Sequence, residues 1–252
     1  MRLNYQVTGN SDGPAILLIH GFLSSNAQWL PNLEALGRRH QLVMTELWGH
    51  GESPVPEKSA FTLKRYDQEF EQIRADLDID KWTVIGQSYA AGLAIRYGIN
   101  HPSRTHRIIV TNSRSAFGEI KTPARRPPGK SDKKHTDTNR TKNRHLPIHP
   151  IHARRLPGDI KDKLVDAADR MSPAAIERGG LIASKLNAMS ILDKVPVPLM
   201  LTNGTYEKGF QADAEAIRKR FPGVRVLDLP GGHAVNIEAA AGFNSAVLNF
   251  LD

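Results

Sequence analysis

Gly86-Gln87-Ser88-Tyr89-Ala90 is the most informative segment of this sequence. It follows an apolar run, Trp82-Thr83-Val84-Ile85, that predicts a buried strand, and it leads into a helix-like stretch, 90–97. A serine flanked by small residues at a turn from strand to helix is typical of a nucleophile elbow, because bulky side chains two positions away would clash in so tight a turn. The usual final glycine is replaced by Ala90, which has the smallest possible Cβ. From these five residues alone, a serine N-cap on an ordinary helix explains the pattern equally well.

Three further motifs follow other apolar runs of the chain and decide between these interpretations. They are His20-Gly21-Phe22, Gly49-His50-Gly51-Glu52-Ser53 and Gly231-Gly232-His233. In this order the four motifs resemble the α/β-hydrolase superfamily, in which H-G-F follows the third strand, G-H-G-x-S the fourth and the serine elbow the fifth, with a G-H near the end. The resemblance covers about residues 3–113 and 195–252.

Strand-like and helix-like segments alternate along the chain, which predicts an α/β fold with a mostly parallel sheet and helices on both faces. Residues 114–194 interrupt this alternation, and the resemblance implies a small helical cap inserted there, after the superfamily's sixth strand. We therefore expect a hydrolase-like core of 1–113 and 195–252 and a cap insertion of 114–194. The expected strands are 3–8, 15–20, 41–45, 82–86, 106–112, 197–203 and 224–229, and the expected helices lie near 27–37, 62–78, 89–100, 159–170, 172–189, 209–220 and 234–250.

The positive charge of the chain is concentrated in one segment. The formal net charge is +8, and residues 121–155 alone hold eleven Lys and Arg against two Asp. This segment is rich in proline and contains no Phe, Tyr or Trp, so we expect a mobile surface segment rather than a nucleic-acid arm, which would carry aromatic residues between the cations. Attraction of anionic substrates to the mouth of the site is a third interpretation.

The overall composition indicates one domain and a small-molecule substrate. A chain of 252 residues suits one α/β domain with a small cap. Cysteine is absent, so neither disulfides nor a thiolate metal site is expected, and the motifs imply neither metal nor cofactor. We see no signal peptide and no apolar stretch of membrane-spanning length, so we expect a cytoplasmic protein without a membrane partner.

Acyl transfer by serine needs a base within hydrogen-bond reach and an acid that orients the base. Ser88 supplies the hydroxyl, and His233, on a glycine-rich loop after the last strand, is the best candidate for the base. The superfamily commonly has G-x-x-D after its seventh strand, and Glu207 occupies that position here. Glu119 and Asp213 are the alternatives for the acid.

The resemblance also implies an oxyanion hole made of backbone N–H groups. One N–H comes from Tyr89, directly after the serine, and the other from Phe22 in the H-G-F motif. Trp29 and Trp48 are candidates for lining the acyl pocket, with simple core packing as the alternative.

These residues lead to the expectation of a carboxylic ester hydrolase that cleaves a small ester or lactone through an acyl-serine intermediate. The serine excludes the branches of the superfamily that use an aspartate nucleophile. One alternative is a cofactor-independent C–C or C–O lyase, similar to the menaquinone-pathway branch, in which Ser88 and His233 act chiefly as a base. Another is a hydrolase-fold protein that binds a ligand with little turnover. Arg or Lys near Ser88 would favour the lyase, whose substrates are usually polyanionic.

Overall fold

The computed structural model describes residues 1–118 and 143–252, in which seven strands form one sheet. The strands are β1 Tyr5–Gly9, β2 Ala15–Ile19, β3 Gln41–Thr45, β4 Trp82–Gly86, β5 Thr105–Thr111, β6 Leu199–Gly204 and β7 Val224–Leu229. Their order across the sheet is β1-β3-β2-β4-β5-β6-β7. β1 pairs antiparallel with β3, and the other neighbours are parallel. The predicted α/β class with a mostly parallel sheet is therefore confirmed.

Helices cover both faces of the sheet because its central strands are apolar on both sides. In β2, Leu17 and Ile19 join one buried cluster, while Ile16 and Leu18 join another. The helices are α1 Leu30–Gly37, α2 Leu63–Asp76, α3 Tyr89–Asn100, α4 Arg114–Phe117, α5 Gly158–Arg170, α6 Pro173–Ala183, α7 Gln211–Arg220, α8 Val235–Glu238 and α9 Ala240–Leu251. The first cluster contains residues of α2, α3 and α7, and the second contains residues of α1 and α9.

Two predicted helices differ from the structure. The stretch expected as one helix at 234–250 is divided into α8 and α9 at Ala239, whose φ of −126° and ψ of 45° lie outside the helical region. The helix expected at 172–189 ends at Ala183, and a 3-10 helix follows at Met189–Lys194. Further 3-10 helices lie at Asn26–Trp29, Pro102–Arg104, Pro150–His152 and Lys208–Phe210.

A helical insertion separates β5 from β6, as the resemblance implies; β5 is the strand that the superfamily counts as its sixth. Its described part includes α4, α5 and α6. The division of the chain into a core and a cap at residues 114–194 stays a prediction. Within the described residues, no helix is both long and apolar enough to cross a membrane.

The basic segment differs from its expected character where the structure describes it. Residues 121–142 lie outside the described residues. In the remainder, 143–155, Asn143 and His149 are buried, which an excursion into solvent would not allow. Asn143 Nδ2 donates to the carbonyls of Ala168 and Met171 at 3.0 and 2.9 Å. This part of the segment is therefore packed onto the end of α5.

Candidate active site

Ser88 lies at a strained turn between β4 and α3. Its φ of 51° and ψ of −112° are unusual for a residue with a side chain. A Cβ on Gly86 would lie 2.4 Å from the carbonyl oxygen of Ala90, so only glycine fits there. Ala90 is fully buried with its Cβ accommodated, so the departure from the usual glycine is compatible with the turn. The Ser88 N–H donates to Thr111 Oγ1 at 3.0 Å, which fixes the turn against β5.

Glu207 and His233 are brought together by two loops in close contact. The loop after β6 begins at Gly204, where a Cβ would lie 2.0 Å from the carbonyl oxygen of Gly232. Consequently His233 Nδ1 lies 3.1 and 3.0 Å from the two carboxylate oxygens of Glu207. Because a carboxylate accepts, Nδ1 carries the hydrogen, and Nε2 is left to accept a proton. This is the arrangement that a general base requires.

Asn112 is a buried residue of the site that the sequence analysis did not single out. Its Nδ2 donates to Glu207 Oε2 at 2.9 Å and to the Gly204 carbonyl at 3.0 Å, and its Oδ1 accepts from the Gly204 N–H at 2.9 Å. The amide thus ties the Glu207 carboxylate to the ends of β5 and β6. A polar residue directly after a buried parallel strand, at the edge where sites form, was the available signal.

The surroundings of Glu207 keep its carboxyl group ionised. Burial by itself raises the pKa, but hydrogen bonds from His233 and Asn112 and the charges of His233 and Arg114 outweigh it, so that the pKa lies below its ordinary value. A carboxylate is therefore present at neutral pH to orient the His233 ring and to stabilise it when protonated.

Ser88, Glu207 and His233 line one cavity of about 630 Å³. Among the described residues, no hydrogen bond joins Ser88 Oγ to His233; such bonds commonly tighten only when substrate binds. The walls combine apolar side chains with three arginines, Arg114, Arg154 and Arg155. The apolar side chains of the wall include Leu23, Ile148, Leu156, Leu164 and Ala183. Within residues 1–118 and 143–252, no group of three or more His, Asp or Glu is placed to hold a metal ion.

Phe22 and Tyr89 also line this cavity, and their rings stack with centroids 5.4 Å apart. Their backbone N–H groups donate no hydrogen bond to any described residue. The turn after Phe22 is held by Leu23, whose φ is 56° and whose N–H donates to His50 Nε2 at 3.2 Å. The conformation of this loop is therefore fixed by side chains outside the cavity.

The remaining candidates lie elsewhere. Trp29 and Trp48 are fully buried in the two core clusters and are not among the described residues that line the cavity, so packing accounts for them. Asp213 lies in the first turn of α7 and is likewise not part of the cavity wall described here. Glu119 lies outside the described residues.

The fold and this arrangement agree with the family to which the sequence belongs. The chain is a member of the alpha/beta hydrolase fold family, whose pattern matches residues 14–240. Among solved structures, a hydrolase of Pseudomonas aeruginosa superposes with a TM-score of 0.79 at 20% identity, covering 99% of this chain and 94% of that one. An enol-lactonase of Burkholderia xenovorans superposes with a TM-score of 0.71 at 20% identity, covering 99% and 96% of the two chains. At such identities the likeness concerns the fold.

Relatives in sequence are distant or partial. A Bacillus subtilis protein, provisionally named 2-succinyl-6-hydroxy-2,4-cyclohexadiene-1-carboxylate synthase, is 23% identical over 253 residues, which cover 96% of this chain and 92% of that protein. An uncharacterized Mycobacterium tuberculosis protein is 29% identical over 112 residues, 44% of this chain. That match spans only 32% of the length of the mycobacterial relative.

Proposed function

We propose that this protein is a serine hydrolase that cleaves a small carboxylic ester or lactone through an acyl-serine intermediate. The observation that carries the proposal is the pairing of His233 Nδ1 with the Glu207 carboxylate in the wall of the cavity that also contains Ser88. A hydroxyl, a base with a free Nε2 and an orienting carboxylate are the three groups that acyl transfer needs.

In the first half of the proposed reaction, Ser88 Oγ attacks the substrate carbonyl while its proton passes to His233 Nε2. The carbonyl oxygen becomes an oxyanion, which accepts hydrogen bonds from the N–H groups of Phe22 and Tyr89. When the C–O bond to the leaving alcohol breaks, that oxygen takes the proton from His233. The acyl group is then an ester of Ser88.

In the second half, water replaces the alcohol. His233 Nε2 takes a proton from the water as its oxygen attacks the acyl carbon, and the bond to Ser88 Oγ breaks as that oxygen recovers the proton. Glu207 stays ionised throughout and stabilises the imidazolium that forms in each half. For a lactone, the leaving alcohol remains part of the product acid.

The test is Ser88→Ala, assayed with p-nitrophenyl butyrate. We expect kcat/KM to fall by about 10³-fold or more, because the nucleophile is lost while the oxyanion hole remains. Ser184→Ala is the matched control, since this serine donates to the carbonyl of Leu181 at the end of α6, on the exposed surface. Activity of Ser88→Ala above a tenth of the wild-type value would rule out Ser88 as the nucleophile.

The arginines of the cavity favour a second candidate function. Arg114, Arg154 and Arg155 are the cations near Ser88 that a lyase for polyanionic substrates would use. The Bacillus subtilis relative bears the name of a synthase for a carboxylated ring. In such a reaction His233 would remove a substrate proton with the help of Ser88, and no acyl-serine would form. A burst of p-nitrophenol equal to the enzyme concentration distinguishes the hydrolase from this lyase.

A further inference from the structure

Three guanidinium groups of the cavity wall have no ionic partner among the described residues. Arg114, Arg154 and Arg155 form no ion pair and donate no side-chain hydrogen bond to residues 1–118 or 143–252. Elsewhere on the surface, each of the following arginines pairs with a carboxylate: Arg2, Arg38, Arg39, Arg104, Arg170 and Arg218. Arg107, Arg220 and Arg225 form no ion pair with a described residue either, but they lie against aromatic rings outside the described cavity wall. The three arginines of the cavity wall are thus set apart by their position around the cavity that contains Ser88.

The acids that line the described wall are already engaged. Glu207 accepts from His233 and Asn112. Glu238 accepts from the backbone N–H of Gly232 at 2.9 Å. The described wall thus holds three arginines against two carboxylates, neither of which forms an ion pair with an arginine, and an anionic ligand would find complementary charge at the guanidinium groups.

Two of the arginines lie beside the Glu207–His233 pair. The guanidinium of Arg155 lies 5.0 Å from the ring centre of Tyr206, the residue before Glu207. Stacking uses the flat face of the guanidinium and leaves its N–H groups free at the edge. Arg114 begins α4 directly after β5, close enough to Glu207 for its charge to lower the pKa of that carboxyl group.

We infer that the cavity takes an acyl substrate that ends in a carboxylate, which Arg155 and Arg114 bind while Ser88 attacks the ester carbonyl. A carboxylate suits the planar fork of arginine, which can donate two parallel hydrogen bonds to it. The apolar wall that includes Leu156 and Leu164 suits an aliphatic chain between the two ends. The substrate class is therefore a half-ester of an aliphatic dicarboxylic acid, or a lactone that carries a free carboxylate. This inference rests on the proposed function for its reaction, but not for its binding step.

Two esters matched in chain length test this inference: 4-nitrophenyl hydrogen adipate and 4-nitrophenyl hexanoate, which differ in the carboxylate at the far end. We expect wild-type kcat/KM to be at least about tenfold higher for the adipate ester at low salt, and the preference to shrink as salt screens the charges. In Arg155→Gln and Arg114→Gln, the preference falls by about tenfold, mainly through a higher KM for the adipate ester. Arg155→Lys keeps the charge but not the fork, so it restores part of the preference.

Arg220→Gln is the matched control, because Arg220 also stacks on an aromatic ring, 5.2 Å from the centre of Phe221, but does not line the described cavity. We expect Arg220→Gln to prefer the adipate ester over the hexanoate ester to the same extent as the wild type. If the wild type hydrolyses both esters equally well, or if Arg155→Gln and Arg114→Gln keep the preference, the inference is overturned while the proposed hydrolase function stands.

If neither ester is hydrolysed, the proposed function fails and binding decides the inference. Isothermal titration with adipate then measures the affinity of the wild type and of the three Gln variants. Affinity that is lost in Arg155→Gln and Arg114→Gln but kept in Arg220→Gln supports the carboxylate site. Absence of binding to the wild type, or equal binding by all variants, overturns it.

Discussion

The proposed role of Glu207, to stabilise the protonated His233 ring, requires a negative charge. It accepts the Nδ1 hydrogen of His233 and would face an imidazolium during acyl transfer. In Glu207→Gln the size is kept but the charge is lost, and the amide NH₂ can hold the ring in the wrong tautomer. We expect kcat/KM for p-nitrophenyl butyrate to fall by two to four powers of ten, about 3–5 kcal/mol of transition-state stabilisation.

We expect Glu207→Asp to lower kcat/KM less than Glu207→Gln does, because the negative charge is kept and only the reach of the side chain toward the His233 ring is lost. Asp213→Asn is the comparison, since Asp213 was an alternative for the acid but lies in α7 away from the described cavity wall. Near-normal activity of Glu207→Gln together with a crippled Asp213→Asn would show that the acid comes from elsewhere in the chain.

The residues that could be predicted are those whose position follows from the order of the motifs. Ser88, Glu207 and His233 each follow a recognisable strand, and the structure places all three on one cavity. Asn112 could not be assigned its contact with Glu207, because that contact requires β5 to lie beside β6. Which strands are neighbours is a property of the sheet and not of the local sequence.

The end of helix α5 is in contact with Asn143, which lies 25 positions before Ala168 and 28 before Met171 in the chain. Asn143 is buried and donates to the carbonyls of Ala168 and Met171, at the end of α5 and just beyond it. The Ala168 carbonyl also accepts the Met171 N–H at 3.3 Å, so the Asn143 amide gives it a second donor and supplies a donor to the Met171 carbonyl, which follows the helix. The side chain thus fixes Asn143 to the end of α5, the helix whose Leu164 lines the cavity.

Asn143→Ala should therefore destabilise the protein although Asn143 is not a cavity-lining residue. Both carbonyls lose a partner in a buried position, which we expect to cost about 1–3 kcal/mol of unfolding free energy. For a chain of this size, that corresponds to a fall in Tm of about 2–4 °C for each kcal/mol. Asn249→Ala, on the exposed face of α9, is the control and should change Tm little. Equal Tm values for the two variants would contradict the role of Asn143.

The composition of the basic segment, which offers little apolar surface, predicts that about 125–143 can be deleted without loss of the folded core. Because Asn143 packs onto α5, the deletion should stop before this residue. The central strands β2, β3 and β4 were predictable because both of their faces are apolar over four or five residues. The packing of Asn143 was not, because it depends on a buried amide that meets carbonyls at the end of α5. The prediction that the core tolerates the deletion stays a prediction for residues 125–142, which lie outside the described residues.

The pH dependence of the stability of the whole molecule involves two buried histidines, which connect the loops at the carboxyl edge of the sheet. His20 Nε2 accepts from the Leu47 N–H at 3.2 Å, and His50 Nε2 accepts from the Leu23 N–H at 3.2 Å. Their rings lie 5.0 Å apart and are almost fully excluded from solvent. Both histidines must be neutral to accept these hydrogen bonds, and together they fix the loop that carries the Phe22 N–H.

Acid should therefore unfold the protein steeply. Burial, partly offset by the hydrogen bond to Gly21, lowers the pKa of His20 to about 4; burial and the neighbouring His20 lower the pKa of His50 to about 3. In the unfolded chain both titrate near 6.5. Below pH 6.5 the unfolded state consequently binds more protons, so the stability that is complete above this pH is lost as the pH falls towards 4 and 3.

At pH 5 the two histidines together give a slope of roughly 2–3 kcal/mol of unfolding free energy per pH unit, which urea titrations between pH 4.5 and 7 can measure. His50→Gln keeps a donor and an acceptor but cannot titrate, so we expect it to remove about half of that slope. His145→Gln, at an exposed position, is the control and should keep the wild-type slope. A slope that is the same in His50→Gln as in the wild type would show that His50 is not a source of the acid sensitivity, and that the loop bearing Phe22 is held by other contacts.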